Sequence, residues 1–295
     1  RPMPDVSRQR ETMMTDAPTP ANAAQIDYWN AKAGETWARF QEQLDRQIAP
    51  LGDAGIRALA PQPGERILDI GCGCGQTTLA LAAEVTPGGS VLGLDISKPM
   101  LDVARKRAAG VANVAFREAD AQTDDFGRAG FDAVFSRFGV MFFADPTAAF
   151  ANIATKLVDG GRLTFVCWRP LAENDWMRVP LMAALPLLPP LPPADPLAPG
   201  PFAFADPARI HAILEGSGWH SVNVEKYDAQ IGSGDLAATV EMTFRVGPLG
   251  MALRENPDRV GAVSEAVRTA LAPYDGPDGV KLPAAVWIVQ AMRGG

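Results

Sequence analysis

Ile67-Leu68-Asp69-Ile70-Gly71-Cys72-Gly73-Cys74-Gly75 runs directly into Gln76-Thr77-Thr78-Leu79-Ala80-Leu81-Ala82-Ala83. The apolar run reads as a buried strand, the second stretch as an opening helix, and the three alternate glycines as the turn between them. Such a turn holds its ligand by backbone, because a side chain would keep main chain and ligand apart and the reversal demands dihedrals that glycine reaches cheaply. A dinucleotide fingerprint would place Gly or Ala five residues after Gly71, and that position is Gln76. Asp69 stands two residues before the first glycine, where a carboxylate suits a cationic ligand group and repels a pyrophosphate. A dinucleotide-dependent oxidoreductase is therefore the weaker reading of this turn.

Working outward, strand patterns at 66–70, 91–95, 114–118, 133–137 and 163–168 alternate with helical stretches such as 99–108 and 146–157. Alternation at this spacing predicts parallel strands, right-handed crossovers and helices on both faces, with the ligand at the carboxyl ends of the strands. Upstream, 26–47 carries Tyr28, Trp29, Trp37, Phe40 and Leu44 at helical spacing, and 53–60 reads as a second helix stopped by Pro61-Gln62-Pro63-Gly64. Downstream, 206–215 and the paired stretches 236–253 and 257–271 read as helices, and 221–227 and 284–291 as strands.

Five segments in register resemble the class I S-adenosylmethionine-dependent methyltransferases, over roughly 28–169. The stretch 67–75 resembles the family's first motif. Val91-Leu92-Gly93-Leu94-Asp95-Ile96-Ser97 resembles its second strand, whose terminal acid takes the two ribose hydroxyls, which implies that role for Asp95. Ala119-Asp120-Ala121 resembles the end of the third, where an Asp pairs with the adenine amino group. Phe131–Arg137 with Phe138 resembles the fourth strand, and 157–163 the turn into the fifth. The pieces Tyr28-Trp29-Asn30, 136–143 and 200–207 resemble a bacterial branch related to the ubiquinone and menaquinone C-methyltransferases. The resemblance implies S-adenosylmethionine as donor and leaves the acceptor open. It further implies an antiparallel hairpin of the last two strands, with an insertion between them that builds the acceptor pocket.

The expected architecture is thus a Rossmann-like doubly wound α/β fold in one domain over 25–295. It carries N-terminal helices over 25–60, a Pro-rich lid over 170–205 and a helical cap insertion over 230–275. Nine prolines fall between Pro180 and Pro201. Their background is apolar where a disordered linker would be polar, so the stretch reads as a short helix followed by a polyproline-like segment over the acceptor side. Residues 1–24 read as a disordered tail whose start on Arg1 marks a trimmed or fused end.

Among 295 residues, 34 acids against 27 lysines and arginines give a net charge of −7, which offers a nucleic-acid backbone no electrostatic handle. Three cysteines are too few for a disulfide framework, which points to the cytoplasm, and no apolar run has membrane-spanning length. Cys72-x-Cys74 lacks nearby partners for zinc, since the two histidines, His211 and His220, lie far along the chain, and Asp124-Asp125 reads as a solvated turn; no metal is expected. The partner expected is a small, largely apolar acceptor.

The donor set read from these motifs comprises Asp69, Gly71, Cys72, Gly73, Gly75, Gln76, Thr77, Asp95, Ile96, Met100, Asp120 and Ala121, with Arg137 beside them. Asp95 has a competing role as a cap for the helix after Ser97-Lys98-Pro99. Tyr28, Trp29 and Trp37 either face the core or cover the donor, where an aromatic face suits a sulfonium. Arg137, at the end of the fourth strand, is either ion-paired to an edge acid such as Asp132 or Asp120, or an anion anchor for acceptor or donor. As catalytic groups the sequence offers Arg137 and His211, the latter flanking the apolar stripe of Ile210, Ile213 and Leu214; Trp219 reads as a core anchor that leaves His220 at the surface. Methyl transfer from a sulfonium needs a base only for an acceptor that is protonated at neutral pH, so proximity and exclusion of water are the expected mechanism.

Overall fold

The computed structural model describes residues 22–127, 130–190 and 195–294. Its strands are β1 (Arg66–Ile70), β2 (Ser90–Asp95), β3 (Val114–Glu118), β4 (Phe131–Arg137), β5 (Leu157–Trp168), β6 (Trp219–Gly234), β7 (Asp275–Gly276) and β8 (Gly279–Arg293). They form one sheet in the order β3-β2-β1-β4-β5-β8-β6, with β7 paired to β8. The first five run parallel, and β8 lies antiparallel between β5 and β6. The expected doubly wound sheet with its antiparallel hairpin is the observed one.

The helices are α1 (Ala23–Asn30), α2 (Lys32–Arg39), α3 (Gln41–Leu59), α4 (Gln76–Glu84), α5 (Lys98–Arg107), α6 (Pro146–Ala154), α7 (Asp175–Ala184), α8 (Pro207–Gly216), α9 (Leu236–Thr243), α10 (Gly247–Glu255) and α11 (Val260–Leu271). Strand alternation divides the core between the two faces of the sheet. Ile67, Ala133 and Phe135 pack with Leu59 and Leu81 on one face, whereas Leu68 and Val134 join Phe150 and Phe165 on the other. A third cluster, built on Leu181, Val240, Leu249 and Val263, joins α7 to α9, α10 and α11. No helix of the described residues is long and apolar enough to cross a membrane.

Several expected boundaries move. The helix expected over 26–47 breaks at Ala31, which is extended, and at Phe40. The separate helix expected over 53–60 is instead the end of α3, which runs through Pro50. Proline there removes one hydrogen bond and costs about 3 kcal/mol. The buried face of Leu44, Ile48, Leu51, Ile56 and Leu59 outweighs that, at about 1.5–3 kcal/mol per side chain.

The stretch 236–253 is two helices, not one, because Gly247-Pro248 opens α10. β5 already begins at Leu157. Ala133 pairs with Arg162 and Phe131 with Leu157, so the 158–161 segment bulges out of the ladder as the turn that the sequence suggested. β6 extends well beyond 221–227 because it is the sheet's edge, where polar residues interrupt the apolar pattern. The tail expected over 1–24 lies outside the described residues up to position 21, and Ala23 and Ala24 already belong to α1. Within the expected polyproline-like segment, positions 191–194 lie outside the described residues; before them stands α7, with Pro180 inside it.

Candidate functional site

A cavity of about 370 Å³ opens at the carboxyl ends of β1, β2, β3, β4 and β5. That size suits a cofactor or drug-sized ligand. Its floor is the glycine turn. Gly71 sits at φ +66°, and a Cβ there would stand 2.6 Å from the Cα of Gly139, in the loop after β4. Gly75 sits at φ +82°, with Phe116 Cζ 2.9 Å from where a Cβ would be. The turn therefore requires glycine for both dihedral and space.

Asp95 ends β2 beside this turn, buried. Its Oδ2 accepts the Gly73 N–H at 2.7 Å and its Oδ1 the Ser97 N–H at 2.8 Å. Ser97 is the residue before α5, so Asp95 both braces the turn and caps the approach to that helix. Burial pushes its carboxyl up to about 6, against the backbone N–H groups of Ser97, Gly73 and Ile96 that hold it down. Asp120, after β3, accepts the Gln122 N–H at 2.9 Å through Oδ1. Its Oδ2 is buried and carries no hydrogen bond among the described residues. Burial raises this carboxyl too, and Asp124 adds to the effect, against the Gln122 N–H and the neighbouring side chains of Asn22 and Thr123, which hold it down. Such an oxygen is an acceptor awaiting a donor.

The N-terminal helices close the site. Asn30 donates to Ile96 O at 2.7 Å and accepts the Lys98 N–H at 2.9 Å, while Ser97 Oγ donates to Trp29 O at 2.7 Å. These bonds fasten α1 over the β2–α5 loop. Trp29 meets Tyr28, Trp37 and Phe142 edge to face, with centroids 5.2, 6.1 and 5.1 Å away. On the other wall Phe138 stacks on Trp168, centroids 4.2 Å apart at 6°, and Trp168 meets Trp176 of α7 at 5.1 Å. Phe138 takes a left-handed φ of +65°, a conformation that costs a side-chain-bearing residue of order 1–3 kcal/mol.

Of the residues singled out by sequence, Tyr28, Trp29 and Trp37 line the cavity, as do Gly71, Cys72 and Gly73 of the turn. So do Asp95, Ile96, Met100, Asp120, Ala121 and Arg137 at the strand ends. The remainder stand elsewhere. Asp69 points away from the cavity: fully buried, it accepts Thr77 Oγ1 at 2.8 Å and Thr78 Oγ1 at 2.7 Å, so it pins the first turn of α4 rather than facing a ligand. Burial raises it to about 6. Gly75, Gln76 and Thr77 lie behind the lining, Thr77 through that bond to Asp69.

His211 stands on the exposed side of α8, 3.5 Å from Glu215, and does not line the cavity. His220 is exposed beside Ser221 and Arg293. Cys72 and Cys74 are buried free thiols, the latter pushed up to about 12 by burial.

Arg137 is ion-paired, though to neither acid that the sequence suggested. Asp132 instead accepts the Arg66 N–H at 2.7 Å. Arg137 donates to Gln76 Oε1 and lies 3.8 Å from Asp45 of α3. Asp45 also accepts Arg107 Nη1 at 2.8 Å, and Arg107 donates to Cys74 O at 2.8 Å. This network of Asp45, Arg107 and Arg137 bounds one end of the cavity, and sequence reasoning missed its acid. Nothing local marks Asp45, which reads as an ordinary polar position on an amphipathic helix.

The family described as a methyltransferase domain matches residues 67–161. Aklanonic acid methyltransferase DauC of Streptomyces sp. (strain C5) is 38% identical over 120 residues, 40% of this chain and 54% of that protein. A demethylmenaquinone methyltransferase of Deinococcus radiodurans is 31% identical over 177 residues, 57% of this chain and 73% of that protein. The chain spans about half the length of the first curated relatives that it matches. Among solved structures, the YcgJ protein of Bacillus subtilis aligns with a TM-score of 0.55 at 19% identity, covering 83% of this chain and 98% of that one, a likeness of fold.

Proposed function

The chain belongs to the class I S-adenosylmethionine-dependent methyltransferases, and from that premise we propose that it transfers the methyl group of S-adenosylmethionine to a small, largely apolar acceptor. The observation that carries this reading is the unpartnered Oδ2 of Asp120, buried at the strand edge where the adenine amino group of the donor would supply the missing hydrogen. Each Asp95 oxygen accepts one backbone N–H and has a lone pair left for a ribose hydroxyl. The bare backbone of Gly71 and Gly73 lets the donor approach closely, and Trp29 on α1 covers it. Arg137, neutralised by Asp45, positions the donor's amino-acid end; it is a positioning residue.

S-adenosylmethionine supplies a methyl on a sulfonium: the acceptor's lone pair takes the carbon, and the C–S pair leaves with sulfur. The protein's part is to align the partners and exclude water, worth about 7–11 kcal/mol when orientation is good. The wall of Phe138, Trp168 and Trp176, the 199–201 segment and α10 are suited to that part, as a lid and cap on the acceptor side. Of the acids that line the cavity, Asp45 is held by two arginines, Asp95 by backbone donors, and Asp120 is assigned to the adenine; no histidine lines it. An acceptor that ionises by itself fits this lining. The relatives named for aklanonic acid and demethylmenaquinone support a small organic acceptor.

Thermal unfolding tests the donor. At a concentration 100-fold above Kd, S-adenosylhomocysteine stabilises the fold by about 2.7 kcal/mol and raises Tm, whereas NADH leaves it unchanged. Stabilisation by NADH alone would overturn the assignment.

A further inference from the structure

The cavity's cap side carries charge of one sign. Its charged lining residues there are Arg245, just ahead of α10, and Arg254, in that helix's last turn. Arg245 is exposed and already lies 3.6 Å from Glu241. Arg254 is half-buried and has no carboxylate within 4.0 Å among the described residues. Among the described residues one of its five N–H groups is engaged: Nη2 donates to Tyr28 Oη at 3.0 Å, and the guanidinium lies 5.8 Å from the centroid of that ring. A last-turn arginine also suits the carbonyl end of its own helix, yet this one reaches across to α1. The phenol of Tyr28 thus holds a fork-shaped cation at the cavity with donors to spare.

We propose that the acceptor is a planar, conjugated organic acid that enters as its anion, with Arg254 as the residue that pairs its charge. The inference rests on the methyl-transfer reading and adds the acceptor's chemical class. Three observations converge on it. The stacked Phe138–Trp168 pair and the neighbouring Trp176 line the cavity with aromatic rings, a wall suited to a flat apolar molecule. An anion needs no base, and the lining supplies none that is uncommitted on the acceptor side. Transfer from a sulfonium to an anion also yields two neutral products, so a water-poor cavity favours the step.

The probe pair is 1-hydroxy-2-naphthoate and 1-hydroxy-2-naphthamide, alike in shape and different in charge. Each is titrated calorimetrically into the full chain saturated with S-adenosylhomocysteine. The acid is expected to bind at least roughly tenfold tighter than the amide, the scale of a charge-assisted hydrogen bond. Arg254→Met should erase that preference while leaving the amide's Kd unchanged, and Arg254→Lys should retain part of it. Equal affinities in the wild type, absence of binding by both, or a preference that survives Arg254→Met would overturn the proposal. S-adenosylhomocysteine titrated alone into each variant reports on the donor site and the fold separately: a chain that binds it without distinguishing acid from amide loses the acceptor class and keeps the donor.

Discussion

Replacing Asp120 with Asn should move stability and donor binding in opposite directions. In the free protein, Asp120 Oδ2 is a buried carboxylate oxygen without a hydrogen bond among the described residues, and Asp124 lies near enough to raise the pKa further. An unsatisfied buried polar group costs about 1–3 kcal/mol. Asn keeps the Oδ1 that accepts the Gln122 N–H and removes the negative charge. We therefore expect the free variant to be more stable by about 1 kcal/mol, which raises Tm by roughly 2–4 °C for a domain of this size. The donor experiences the reverse. Where the carboxylate oxygen accepted the adenine amino group, the Asn amide nitrogen presents a second donor. The lost charge-assisted bond is worth about 1.5–3 kcal/mol, a roughly 10- to 150-fold rise in Kd for S-adenosylhomocysteine.

A swapped ligand makes the test specific. S-inosylhomocysteine carries an oxygen where the adenine has its amino group, so it should bind the variant better than the wild type. Calorimetry with both ligands on both proteins, alongside melting curves without ligand, gives all the numbers required. A variant that binds S-adenosylhomocysteine as tightly as the wild type, or that discriminates the two ligands in the same sense, would refute adenine recognition by Asp120.

Asp95 predicts a pH dependence whose sign differs between fold and ligand. Its folded pKa of about 6 exceeds the ordinary 3.8, so its contribution to stability is present at low pH and is lost as pH rises through about 6. Donor binding needs the carboxylate, so Kd should be flat above roughly pH 7 and rise by up to about tenfold per unit below 6, with the slope absent in Asp95→Asn; a flat wild-type profile contradicts the ribose role. Gly71→Ala should destabilise by more than the roughly 1–2 kcal/mol of a left-handed alanine, because a Cβ there meets Gly139 backbone at 2.6 Å. Gly160→Ala, at φ +73° with no atom within 4 Å of the added carbon, should show the dihedral cost alone, and urea denaturation of both compares them. His211→Ala, on the exposed side of α8, should leave donor affinity unchanged and stability within about 0.5 kcal/mol.

What the sequence disclosed of this site is what local chemistry dictates. The glycine turn was legible because dihedral and backbone approach are requirements of the residues themselves. Asp95 and Asp120 were legible because an acid that ends an apolar strand must lie at the carboxyl edge. Asp69 does not face the ligand side as its place before the turn suggests: strand alternation sends it opposite to Ile70, and the hydroxyls of Thr77 and Thr78 downstream are the partners that a buried carboxylate needs. The ion-pair network and the Arg254–Tyr28 contact were not legible. The first joins α3 to residues 62 and 92 positions away, the second spans 226 positions, and no periodicity records which solvated-looking charge a fold brings inward.

The same edge of the sheet gathers most of what this fold holds against its own stability. Phe138 is left-handed and Asp95 is a carboxylate taken out of water, while among the described residues Asp120 has an oxygen without a donor and Arg254 is a half-buried cation without a counter-charge. Away from that edge, the Arg162 guanidinium is paired by the fork of Glu65 at 2.7 Å, although Asp69, behind the glycine turn, keeps a buried oxygen without a partner among the described residues. A fold selected for stability alone would have no reason to place these features around one cavity. In the proposed reading a different part of the two substrates meets each one: adenine at Asp120, ribose at Asp95, a flat ring at the wall that holds Phe138, an anion at Arg254. In that reading, part of the binding energy at this edge comes from pairing groups that the free protein leaves unpaired, so substitutions that stabilise the free chain here are expected to weaken it as a receptor.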